Sequence, residues 1–161
     1  MTTPAIHPLL VLSLLLILVI AVRGDLRERR IPNWLSLGGI GVGAGLQFML
    51  HGTAGLSAAL YGALLGGLLL LPLWLLRGMA AGDVKLMAAV GTHLGPVAAV
   101  VATMATLLVG GIVALILWWR HHAARASQPG RGPATFPYAP AIAAGSVLTL
   151  SLPLLRRLVA G

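Results

Sequence analysis

The chain has 161 residues, 58% of them apolar and only 9% charged. Soluble domains carry about a quarter charged residues, so an aqueous globule is excluded and lipid is the expected solvent. The absence of Cys excludes disulfides, thiolate zinc sites and a cysteine nucleophile, and the net charge of +8 fits loops resting on anionic headgroups better than a nucleic-acid surface.

The first apolar run, Ile6–Val22, has no Lys or Arg ahead of it, whereas a secretory signal opens on positive charge. The cluster Arg23, Arg27, Arg29 and Arg30 follows the run, so its end is expected in the cytoplasm and the N-terminus outside. The second run is Trp34–Leu50. Pro32 suits its first turn, where a missing N–H costs nothing, and Asn33 and Trp34 suit the membrane interface. The third run is Leu56–Leu76, with Pro72 expected to bend it near its end. Within these two runs Gly39 with Gly43, Gly41 with Gly45, and Gly62 with Gly66 stand four apart, the small-residue spacing that lets helix backbones approach closely in lipid.

Val84–Leu94 covers only about half the hydrocarbon thickness unless counted from Met79. Gly95-Pro96 then turns the chain back, and Val97–Trp119 follows. Arg120–Pro137, rich in Gly, Pro, Arg and His, is expected as a solvated cytoplasmic loop, and Tyr138–Leu155 is the last run. His121 and His122 point in different directions on a helix and have no third ligand nearby, so no metal is expected there. Six spans keep Arg77, Lys85, Arg120, Arg125 and Arg131 inside and export only Arg156 and Arg157, whereas five would export the Arg-rich loop. The expected fold is therefore an all-α membrane protein, a bundle of about six transmembrane helices forming one domain over 1–161.

Only three carboxylates exist: Asp25, Glu28 and Asp83. Charges at the edge of a membrane are costly and call for a reason. Asp25 and Asp83 lie 58 positions apart, yet the topology returns both to the cytoplasmic face. Two carboxylates near one water share a proton between them; the ionised one can take a proton from water while the neutral one polarises a carbonyl. Alternatively, Asp25 balances its Arg neighbours and Asp83 pairs with Lys85 or caps a helix. Charge and topology leave both readings open.

The residues around the aspartates carry a resemblance. Asp25-Leu26-Arg27-Glu28-Arg29-Arg30-Ile31-Pro32-Asn33, Ala80-Ala81-Gly82-Asp83-Val84-Lys85-Leu86 and the segment from Pro137-Tyr138-Ala139-Pro140 to Gly145 resemble, in order, motifs of the prepilin peptidases. These type IV leader peptidases are integral-membrane aspartic proteases of the GxGD kind. The resemblance implies Asp25 and Asp83 as the catalytic pair, with Pro32, Asn33, Gly82 and Lys85 as supporting motif residues. It further implies prepilin or pseudopilin substrates, cleavage of a leader at the cytoplasmic face of the bacterial inner membrane, and no cofactor or metal. The chain departs from the family pattern at Ala80, where the motif has Gly; the added methyl narrows the permitted backbone angles. With no Cys and no room between spans for the paired Cys-x-x-Cys region of larger, N-methylating members, it is similar to the short peptidase-only type that serves tight-adherence pili. Lys85 does not share a helix face with Asp83, and a lipid-phosphate contact and a catalytic role are both open to it. The rival functions are a small proton or ion carrier, which would place ionisable groups near the bilayer middle, and a catalytically silent assembly subunit.

Overall fold

The computed structural model describes residues 7–28, 30–125 and 138–159. Five helical elements follow in order: α1 (Pro8–Glu28), α2 (Asn33–Leu75), α3 (Ala81–Leu94), α4 (Pro96–Arg125) and α5 (Ala139–Val159). Among the described residues there is no strand. Three stretches, Pro8–Glu28, Asn33–Leu75 and Pro96–Ile116, are long and apolar enough to cross a membrane. Helix is the form lipid imposes on such runs, because it satisfies every backbone N–H and C=O within the segment.

The 43 residues of α2 would span about 64 Å as one straight helix, twice the hydrocarbon thickness. The backbone leaves helical angles at Gly52 (φ 63°, ψ −145°), a region open to glycine and strained for other residues. Two arms result, 33–51 and 53–75. Rising along α3, its contacts on the first arm rise too: Asn33 meets Lys85, Gly39 meets Ala89, and Gly43 meets Thr92 and His93. Contacts on the second arm fall: Gly67 lies by Val84 and Ala88, Gly66 by Met87, and Gly62 by Gly91. The arms therefore run in opposite directions, with α3 packed against both.

Glycine makes that packing possible. A Cβ on Gly62 or on Gly91 would run into the other's carbonyl, and one on Gly66 would stand 2.7 Å from the Met87 carbonyl oxygen. Gly39 and Gly43 are buried in the same way. Gly41 and Gly45 are not: both are exposed, with nothing near the place a Cβ would occupy. Spacing alone does not distinguish the two pairs, since they lie on different faces of one arm.

Helix boundaries also differ from the hydropathy runs. α1 continues six residues past Val22 because Arg, Leu and Glu are good helix formers, so Asp25 lies in its last turn rather than beyond it. α4 continues past Trp119 to Arg125, and the expected loop is shorter by that much. Residues 126–137 lie outside the described residues, as do the side chains of His121, His122, Arg156 and Arg157. Pro32 is the N-cap of α2, one place ahead of its first turn, and its carbonyl accepts the Leu35 N–H at 3.0 Å.

α4 and α5 meet through small residues. A Cβ on Gly145 would crowd Thr106, and one on Gly110 would stand 3.2 Å from the Tyr138 ring. The buried hydroxyls of Thr103, Thr106, Ser146 and Thr149 each donate to the carbonyl four residues back in their own helix, at 2.7–2.8 Å. That bond removes the cost of an unsatisfied hydroxyl without needing a partner helix. A core built on Leu14, Leu18, Leu70, Leu86, Met87, Val90 and Ile142 ties the elements together.

Candidate active site

The end of α1 and the starts of α2, α3 and α5 converge at one end of the bundle. Only four residues separate α1 from α2, and the connection folds back so that the Arg30 carbonyl lies 3.4 Å from where a Cβ on Gly24 would stand. Gly82, in the first turn of α3, seats against this connection. A Cβ there would stand 3.2 Å from Cβ of Ile31, so glycine at 82 brings the start of α3 onto the Ile31-Pro32-Asn33 segment. Across the same junction the Lys85 ammonium donates to Oδ1 of Asn33 at 3.0 Å. This bond, between residues 52 positions apart, joins two of the three sequence motifs directly.

Both aspartates are buried beside this junction, Asp25 at 7% exposure and Asp83 at 4%. Carboxylates at that depth need partners. Oδ2 of Asp83 accepts the Ala80 N–H at 3.2 Å, the carboxylate half of a capping arrangement at the start of α3. Oδ2 of Asp25 accepts the Ala139 N–H at 3.0 Å, so α1 caps the start of α5. The two carboxylates stand close enough for the charge of Asp25 to act on Asp83, and Asp83 in turn acts on the phenol of Tyr138. Three elements thus bring together two acids that the chain separates by 58 positions. Glu28, one turn on from Asp25, is exposed.

Ala80 itself has φ −80° and ψ 151°, extended angles that any L-residue adopts. Alanine in place of the motif glycine therefore imposes no backbone strain here. Lys85, open beforehand to lipid or to catalysis, is engaged with Asn33 instead of Asp83. The segment holding Tyr138 and Ala139 is the third motif of the sequence, but its motif character carries no role at the aspartates; the contacts with Asp25 and Asp83 supply one. The available signal for that role was the Pro-Tyr-Ala-Pro start of the last apolar run, a helix-start pattern in which Tyr138, at the N-cap, offers no short capping side chain.

A second polar group lies at the other end of α3. Gln47 of the first α2 arm donates from Nε2 to the His93 carbonyl at 3.2 Å, and its Oε1 pairs with Nδ1 of His51 at 3.0 Å. Nδ1 of His93 lies 2.8 Å from the Ala89 carbonyl. Among the described residues no partner is found for Nε2 of His93 or for the hydroxyl of Ser36.

A helical membrane protein with two buried aspartates converging at one end of its bundle is thus defined. The chain belongs to the type IV leader peptidase family, whose model matches residues 10–115, a stretch that holds both aspartates, Pro32, Asn33, Gly82 and Lys85. It is similar to the prepilin leader peptidase/N-methyltransferases of Burkholderia pseudomallei strains 1026b and K96243, each 37% identical over 115 residues. That alignment takes in 66% of this chain and 35% of each relative, so the chain spans about a third of the length of the curated relatives it matches. No solved structure matches it.

Proposed function

We propose that this protein is a membrane aspartic endopeptidase that removes the leader from prepilin-like substrates, with Asp25 and Asp83 as the catalytic pair. The observation that carries the reading is the convergence of these two buried carboxylates, each within the other's electrostatic reach. A pair sharing one proton activates water without metal, cofactor or nucleophilic side chain. The ionised aspartate takes a proton from water, the neutral one donates a hydrogen bond to the scissile carbonyl, and the tetrahedral species collapses as its nitrogen is protonated. Pro32, Asn33, Gly82 and Lys85 hold the two aspartate-bearing elements in register.

In the proposed topology the two arms of α2 cross separately, giving six spans with the N-terminus outside and the aspartates at the cytoplasmic face of the bacterial inner membrane. The positive-inside rule supports this, because Arg23, Arg27, Arg30 and Arg77 all lie at the aspartate end. A substrate with a hydrophilic leader ahead of an apolar helix would present its scissile bond at that depth. The four cations are exposed. Anionic lipid would hold both this basic surface and a basic leader at the membrane, at roughly 1 kcal/mol per basic side chain. With no Cys, the chain is read as a peptidase without the N-methyltransferase named in its relatives.

The test is purified protein in detergent with a prepilin peptide, a basic leader followed by an apolar helix. Leader release that is lost in Asp25→Asn and in Asp83→Asn supports the reading. Near-normal turnover by either variant removes that residue from the pair, and proton flux in liposomes without cleavage would favour a carrier.

A further inference from the structure

The two carboxylates are held in different ways. The Ala80–Asp83 bond is local: an acidic residue in the first turn of a helix reaches back to its own N-cap. The Ala139–Asp25 bond joins residues 114 positions apart and forms only because α5 is docked in one register. That register is tightly set. Gly145 leaves no room for a side chain against Thr106 and the Ala102 carbonyl, and the Tyr138 ring lies on Gly110. Ala139 is fully buried, so its N–H has no access to bulk water. As the first residue of α5 it also lacks a partner inside its own helix.

We infer that the start of α5 is a positioning element of the aspartate pair: the Ala139 N–H fixes one oxygen of Asp25 and leaves the other to meet the water. The inference rests on the two-aspartate reading above. The last torsion of a carboxylate is broad and two-fold, and one N–H at 3.0 Å favours the plane that keeps an oxygen on that donor and so sets the direction of the other. Because Asp83 acts on Tyr138, immediately ahead of α5, and Asp25 accepts the Ala139 N–H, two consecutive residues at the start of this element each meet one of the two acids. The family match ends at residue 115, so this element lies outside it. Misplacing a catalytic group by about 1 Å costs on the order of a hundredfold in rate, which sets the scale of the effect.

The test removes a single N–H. Replacing the Ala139 amide by an ester, with lactic acid introduced by nonsense suppression, deletes the donor and keeps the methyl group. A matched ester at Ile142, whose N–H serves the first turn of α5 by donating to the Tyr138 carbonyl, controls for weakening of the helix. With a leader-plus-helix peptide as substrate, the ester at 139 should lower kcat tenfold or more and leave KM within twofold, while the ester at 142 leaves both within twofold. A kcat within twofold at 139, or an equal loss from both esters, overturns the inference. Asp25→Asn in the same assay separates the two hypotheses. If it is inactive while the ester at 139 is active, the aspartate pair stands and the positioning role falls; if it is active, the pair itself falls.

Discussion

The two ends of α3 use the same materials differently. At its start, ionisable groups from three elements meet: Asp83 on α3, Asp25 on α1 and Tyr138 just ahead of α5, beside a Lys85–Asn33 bond and close to a rim of exposed arginines. At its end, the polar groups are an amide, imidazoles and a hydroxyl, joined mostly to carbonyls: Gln47 to His93, His93 to Ala89 and Thr92 to Ala89. The far end spends its polarity on closing the helix terminus and pinning it to the α2 arm. The near end buries carboxylates at a junction of elements, where like charges in a poorly solvated setting create acid and base capacity. Polar residues in a membrane bundle are therefore not all functional in the same sense. What separates them here is the company they keep: the far-end groups are joined mainly to backbone carbonyls, whereas the near end sets one carboxylate within the electrostatic reach of another.

Substitutions can break this contrast, beginning with the strongest. Asp25→Asn or Asp83→Asn should each lower turnover by about 10³-fold or more, since neither amide can serve as base or acid. The thermal midpoint in detergent should stay near that of the parent, and Glu28→Gln should retain turnover within about twofold. Next is packing at the far end. Gly43→Ala drives a methyl group to 2.6 Å from Nδ1 of His93 and into the Thr92 hydroxyl, and should cost about 1–3 kcal/mol in unfolding by denaturing detergent. Gly41→Ala, two residues away and facing open space, should cost nothing measurable in the same assay.

Smaller effects sharpen the comparison. Lys85→Met should reduce kcat by about tenfold through loss of the bond to Asn33, a charge-assisted contact worth on the order of 1.5 kcal/mol. Asn33→Ala added to it should lower kcat little further, and additive losses in that double-mutant cycle would show that the pair does not act as one unit. Gln47→Leu should destabilise the fold by about 1 kcal/mol and leave kcat within twofold, the reverse of the pattern at the near end. The smallest expected effect is that of lipid. Anionic bilayers should lower KM by about threefold relative to neutral ones, with kcat unchanged and the difference fading at high salt. Equal Michaelis constants in the two bilayers would assign leader recognition to the protein itself.

The amino-acid sequence by itself determined the solvent, the helical class and the two acids of interest. Hydropathy and charge are sums over neighbours along the chain, and a chain with three carboxylates leaves few choices for acid–base chemistry. The turn between Leu50 and Leu56 was legible for the same reason, and it falls at Gly52, where the backbone takes a positive φ. What only the tertiary structure decided are the relations between distant positions. Spacing gave Gly41 and Gly45 the same standing as Gly39 and Gly43, yet only the latter pair faces α3. Lys85 could have met lipid or substrate and instead binds Asn33. Asp25 could have answered its arginine neighbours and instead receives the N–H of Ala139. Each outcome turns on the rotation of a helix about its axis and on the register in which helices dock, quantities fixed by close packing of whole faces and absent from any local window of residues.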